Sequence, residues 1–251
     1  MKTCAYETYR PLDMIGLLDV ALGFSKRALD MVEKGSEEEA SVRCTMGLVY
    51  MTKGDLDKAE KMHLRALEIE KDGQREVGMA REYGNLGLIY RTKGDLDKAE
   101  DMHNKSLEIE KKLGRLEGMA SDYAALGLVY YDRKELDKAK EMHTLGLEIE
   151  EKLGRLEGIA RQYLNLGLIY MDKGELDKAK ELHIKSLEIA EKLGHKEGMA
   201  MNFGNLGLIY KQRGDIAKAK EYWEKAMELY KRMGMPHKVE EIEKWISELE
   251  D

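Results

Sequence analysis

A chain of 251 residues can form one large domain or two ordinary ones, with a sizeable buried core. Charged residues make up 36% of it and only two residues are proline, which favours helices with solvated faces over a strand-and-turn fold. Acids and bases interleave throughout around a formal net charge of −7, so the basic stripe that a nucleic acid requires is missing and no nucleic-acid partner is expected.

The N-terminal stretch "MKTCAYETYRPLDMIGLLDVALGF" is the one place to seek a targeting or membrane segment. Asp13 and Asp19 interrupt its apolar residues, so it predicts neither a secretory core nor a membrane span. Cys4 and Cys44 show no pairing or ligand spacing and read as reduced thiols of a cytoplasmic protein.

From residue 37 the chain repeats itself. Gly47, Gly87, Gly127, Gly167 and Gly207 stand 40 residues apart, as do Tyr50, Tyr90, Tyr130, Tyr170 and Tyr210, and no insertion breaks the register. Within a unit the apolar spacing is helical: Met119, Tyr123, Leu126 and Tyr130 form one run, and Leu96, Ala99, His103 and Leu107 another. Between such runs, Gly94 can end one helix and Asp95 can cap the next, while Gly114 in "KKLGRLEG" closes the second. Each unit is therefore a hairpin of a helix A and a helix B. A lone pair cannot bury both its faces and must stack on its neighbours. The expected fold is all-α, a right-handed α-solenoid. The second glycine of "YGNLGLIY" (Gly87) is read as the place where helix B approaches helix A.

Tyr83, Leu86, Gly87, Tyr90, Gly94, Ala99 and Ser106, with Ala66 at the equivalent place one unit earlier, resemble the tetratricopeptide-repeat signature. The usual period is ~34 residues; this longer form is similar to the repeats of kinesin light chains and of Pins/LGN adaptors. The expected segments are a tail at 1–12, a partial repeat at 13–36 made of helix B only, full repeats at 37–76, 77–116, 117–156, 157–196 and 197–235, and a capping helix at 236–251 with Ile242, Trp245 and Leu249 on its apolar side.

Two temptations are set aside. His63, His103, His143 and His183 form a ladder, but neighbouring rungs lie one helix spacing apart, ~8–10 Å, too far to share a metal ion, and they read as core residues. The carboxylates of the "EIEK" and "LDKAE" segments read as solvated surface charges. No catalytic constellation, cofactor or metal site is expected, which leaves a non-enzymatic chain.

Helix A carries the one unexplained phase. Asn85 lies off the core stripe, beside Arg81 and Leu88, and Asn165 and Asn205 repeat it with Leu168 and Leu208. An amide both donates and accepts, which suits the backbone of an extended peptide. The alternative is that Asn bonds a neighbouring helix. The Arg-x-Tyr-x-Asn-Leu-Gly element at Arg81 and Arg161 is similar to that of Pins/LGN adaptors; the resemblance implies that the arginine pairs with acidic side chains of a bound peptide while the asparagine holds its main chain. Ala125 breaks this pattern, whereas Tyr131 and Met171 would add apolar contacts. The leading expectation is a protein-interaction scaffold with a peptide in its concave groove. The alternative is self-assembly into a homo-oligomer, through an uncovered apolar face of 13–34 made of Leu18, Ala21, Phe24 and Ala28.

Overall fold

The computed structural model describes residues 12–248, with side-chain surroundings from residue 16 on. The tail with Cys4 and Pro11, and Leu249 of the capping segment, lie outside the described residues. Every described element is an α-helix, and two compact units divide the chain, 1–134 and 135–251. The first holds α1 (Leu12–Met31), α2 (Glu37–Lys53), α3 (Leu56–Asp72), α4 (Glu76–Lys93), α5 (Leu96–Leu113) and α6 (Leu116–Asp132). The second holds α7 (Leu136–Leu153), α8 (Leu156–Asp172), α9 (Leu176–Leu193), α10 (Lys196–Gln212), α11 (Ile216–Arg232) and α12 (Pro236–Ser247).

Local chemistry sets the helix ends. Gly94 adopts φ +82° after α4, and the Asp95 side chain accepts a bond from the Lys98 N–H at 3.2 Å, satisfying a donor that the first turn of α5 leaves free. Consecutive helices pack as antiparallel hairpins, α2 on α3, α4 on α5, α8 on α9 and α10 on α11, and each hairpin stacks on the next within its unit. In the first unit Leu67, Tyr83, Leu86, Tyr90, Ala99 and Val129 share one core cluster. In the second, α12 lays Val239 and Ile242 against Trp223, with the Trp245 ring 5.6 Å from that of Trp223. Between repeats, Tyr90 Oη donates to Glu60 at 2.8 Å and Lys93 pairs with Asp57 at 2.6 Å, so the terminal turn of α4 is bound to the first turn of α3.

The glycines of the "LG" dipeptides bear the close approach. A Cβ on Gly87 would stand 2.5 Å from His103 Nε2, one on Gly167 2.7 Å from His183 Nε2, and one on Gly207 2.2 Å from Trp223 Nε1. The ring of helix B thus lies directly on the helix A backbone, which offsets the ~1 kcal/mol that a mid-helix glycine costs.

At the N-terminus α1 packs on α2 as a helix B would, burying Leu22. The expected self-association face is in part covered by this packing. Leu18, Ala21 and Ala28 are half-buried, because residues matching helix B in register are those that meet the following helix A. The open apolar row is Leu17, Val20, Phe24 and Met31, of which only Phe24 was anticipated.

Gly87→Ala should therefore destabilise the chain by about 1–3 kcal/mol in urea unfolding, because the His103 ring has nowhere to retreat. Gly84→Ala, whose Cβ would meet only Ser106 Oγ at 3.9 Å, should be neutral or raise stability by up to ~1 kcal/mol.

Candidate functional site: the helix A faces and the polar row beneath them

His63, His103 and His183 lie on Gly47, Gly87 and Gly167, and these three and His143 turn Nδ1 toward a residue nineteen positions further on, in the next helix A. His63 Nδ1 meets Glu82 Oε2 at 2.7 Å, His143 Nδ1 meets Gln162 Oε1 at 2.8 Å, and His183 Nδ1 meets Asn202 Oδ1 at 3.1 Å. His103 stands 3.7 Å from Asp122 Oδ1, too far for a hydrogen bond. The histidines are core residues, all at most 1% exposed, and they carry a polar row through the core that the sequence reading missed. The constant nineteen-residue offset to Glu, Asp, Gln and Asn was the available signal.

The row is acidic in the first unit and neutral in the second. At Asn202 it is fully satisfied: its Nδ2 donates to Ser186 Oγ and to the Gly198 carbonyl, each at 2.9 Å, which leaves Oδ1 to accept from a neutral His183. Burial pulls the His183 pKa down to about 4, against the smaller upward pull of Asn202. Burial would by itself raise Glu82, but hydrogen bonds from His63 and Arg81 hold it below the usual carboxylate range.

A second buried row corrects the reading of these acids as surface charges for the second glutamate of "EIEK" and its counterpart in "EIEE". Glu70, Glu110 and Glu150 are at most 5% exposed, because Gly78, Gly118 and Gly158 of the following helix A leave no Cβ in their way. Arginines of the inter-hairpin turn attend them: Arg75 Nε lies 2.6 Å from Glu70, Arg115 Nε 3.5 Å from Glu110 and Arg155 Nε 3.3 Å from Glu150. Arg81 adds a second cation over the first of these, donating to Glu70 Oε1 at 3.1 Å and to Glu82 Oε1 at 3.0 Å. Arg161 stands 3.7 Å from Glu150 Oε1. The two arginines of the adaptor-like element thus face internal carboxylates while leaving about half of each side chain in solvent, 48% and 54%.

Above these rows lies the outer phase of helix A. Asn85, Asn165 and Asn205 are all half-buried; Asn85 Nδ2 reaches Cys44 Sγ of α2 at 3.7 Å, whereas Asn165 and Asn205 make no hydrogen bond among the described residues. Leu48 and Leu88 are 45% and 39% exposed at the same place in successive repeats, and Leu168 and Leu208 are half-buried beside their asparagines in the second unit. Tyr131 and Met171 are half-buried too, the former with Lys134 Nζ 4.9 Å from its ring.

Folding gathers Cys44, His63 and Glu82, again nineteen residues apart, so that one ligand atom of each lies within 4.8 Å of the others. The donor set does not fit a metal ion. Glu82 is already bound by His63 and Arg81, the guanidinium opposes a second cation, and burial together with Glu82 pushes the Cys44 thiol up to about 12, away from the thiolate that a metal requires. For His183 the sign of the pH effect is settled: its folded pKa lies below the unfolded value, so its contribution is complete above about pH 6.5 and is lost as pH falls toward 4. Thermal melts across that window should fall in the parent chain and fall less in His183→Phe, the difference reaching at most roughly 3 kcal/mol at pH 4.

A family model for the tetratricopeptide repeat matches residues 78–152 and 158–232, and a second one matches 46–76. No curated protein matches the sequence. Among solved structures, BtubC (BKLC) from P. vanneervenii aligns with TM-score 0.72 and 21% identity over 88% of this chain and 91% of its own. A kinesin light chain of Podosopora anserina with nearly identical TPR-like repeats aligns with TM-score 0.66 and 19% identity over 81% and 99%. A signal-transduction ATPase (STAND) protein from Pyrococcus horikoshii with a tetratricopeptide-repeat sensor aligns with TM-score 0.78 and 23% identity over 90% of this chain and 34% of that one. At such identities these structures carry the fold alone. The helical hairpins, the glycine contacts and the matched repeats agree: this chain belongs to the tetratricopeptide-repeat family.

Proposed function

We propose that the helix A faces bind an extended segment of a partner protein, on α4 with its neighbours in the first unit and on α8 with α10 in the second. The observation that carries this reading is the outer row of helix A: Leu48 and Leu88 stay open to solvent in the first unit, and in the second the half-buried Leu168 and Leu208 lie beside amides that the fold leaves unused, at Asn165 and Asn205. Exposed apolar side chains supply contact area, and unspent amides bond a peptide main chain whatever its side chains. Arg81, Asn85, Leu88 and Tyr131 would serve the first face, and Arg161, Asn165, Leu168, Asn205 and Leu208 the second. An acidic residue of the partner would find Arg161 more available than Arg81, since Arg161 stands 3.7 Å from one carboxylate, whereas Arg81 is shared by two. The tetratricopeptide repeat is a protein-interaction fold, and a non-enzymatic scaffold or adaptor is the role it would serve here. No helix among the described residues is long and apolar enough to cross a membrane, and the buried free thiol of Cys44 supports a reducing, cytoplasmic setting.

Selection from a displayed random-peptide library should enrich peptides that bind the intact chain. Asn85→Ala, Asn165→Ala and Asn205→Ala together should weaken them by about tenfold or more with unchanged far-UV circular dichroism. Undiminished binding to the triple variant removes the amides from the proposal.

A second reading has its own observation. Leu17, Val20, Phe24 and Met31 follow one another at helical spacing on α1, all more than half exposed, and a seam of this kind pairs with a second copy of itself. Light scattering should show mass rising with concentration in the parent chain and a monomer in Leu17→Asp/Phe24→Asp. A strict monomer of the parent chain at every concentration eliminates this reading.

A further inference from the structure

The two buried rows meet where an "EIEK" glutamate and the partner of a histidine come together, and the charge at that meeting differs from repeat to repeat. Beneath α4 lie two carboxylates, Glu70 and Glu82, with two arginines bonded to them, Arg75 at 2.6 Å and Arg81 at 3.1 and 3.0 Å. Beneath α8 one carboxylate, Glu150, faces Arg155 and Arg161, and its neighbour Gln162 is neutral. Beneath α10 the corresponding residues are Ala190 and Asn202, and Met201 replaces the arginine. In these three places the helix A cation is present where there is buried acid and absent where there is none.

The place beneath α6 breaks this pairing. Glu110 and Asp122 are 5% and 4% exposed, yet the residue in the position of Arg81 is Ser121, which is exposed and makes no hydrogen bond among the described residues. Among the described residues the cation paired with these carboxylates is Arg115, 3.5 Å from Glu110 Oε2. Glu110 Oε2, Asp122 Oδ2 and both ring nitrogens of the 1%-exposed His103 have no hydrogen-bond partner among the described residues. Burial, only partly opposed by Arg115 and reinforced by Asp122, pushes the Glu110 carboxyl above its ordinary range. Buried acid short of a cation and short of donors is costly unless something supplies both.

From this mismatch we infer that the α6 face takes an arginine side chain from a bound partner segment, its guanidinium entering over Ser121 to bridge Glu110 and Asp122 as Arg81 bridges Glu70 and Glu82 in the repeat before. A guanidinium is planar and carries five donors in a fork, which suits two carboxylates seated side by side. A single metal ion suits them less well: Glu110, Asp122 and His103 do not bring three ligand atoms within the reach of one ion, in contrast to Cys44, His63 and Glu82. This inference rests on the reading of helix A as a partner-binding face and specifies, for one repeat, a residue that the partner must carry.

The test uses blocked alanine-based peptides that contain one arginine, or in its place citrulline, the neutral isostere. In amide NMR titrations of the full chain, the arginine peptide should produce saturable shifts at residues 118–125, and the citrulline peptide should bind on the order of tenfold more weakly. Ser121→Arg places a tethered guanidinium over the same carboxylates. It should raise the melting temperature and abolish the peptide effect, while Asp122→Asn should abolish the effect without Arg's stabilisation. Equal binding of arginine and citrulline peptides, or undiminished binding to both variants, overturns the inference. Loss of binding on asparagine replacement with no preference for arginine sinks this inference and leaves the broader reading in place. Arginine-dependent binding that survives the asparagine replacements does the reverse.

Discussion

A flat ring laid on a glycine of the facing helix is the contact on which both units depend. At His63, His103 and His183 the imidazole, and at Trp223 the indole, occupies the space that a Cβ would need. Because the glycine fixes where the ring sits, it also fixes where Nδ1 points, toward the next helix A. Nδ1 of such a histidine is satisfied where that helix returns a polar group within reach, as Glu82, Gln162 and Asn202 do within 3.1 Å, whereas Asp122 stands 3.7 Å from His103. Packing inside one hairpin is in this way tied to the stacking of the next.

The same logic governs the second row. Gly78, Gly118 and Gly158 admit a glutamate carboxylate to the interior, and an arginine from the turn is needed to balance it. Repeats alike at the level of the backbone therefore become distinct in charge. Beneath α4 two cations answer two acids, beneath α8 two cations answer one, and beneath α6 one cation answers two. In the outer phase of helix A a leucine recurs at 48, 88, 128, 168 and 208, with a half-buried asparagine at 85, 165 and 205. The rows below it would give a face of repeated design its local preferences, by setting how much of each arginine remains for a partner.

The hairpins, their caps and the role of the "LG" glycine were legible in the sequence because each arises from interactions within a few residues or from a period that recurs five times. Gly94 and Asp95 could be placed by turn chemistry alone. The burial of Glu70, Glu110 and Glu150 was not legible, since a glutamate in "EIEK" matches an ordinary solvated helix position and only the absence of a Cβ on the next helix makes room for it. The more open row of α1 was not legible for a related reason: alignment to helix B picked out Leu18, Ala21 and Ala28, which are half-buried beside α2. Arg81 offered no local sign that its guanidinium bridges Glu70 and Glu82, eleven residues and one residue away along the chain.

Sequence by itself determined the period, the helical class and the family, because periodicity, capping and glycine placement are local and repeated. Tertiary structure alone decided which charges are internal, which arginines already face a carboxylate and which apolar row of α1 stays open. Burial and ion pairing are properties of neighbours brought from the next hairpin, and no pattern within one hairpin specifies them.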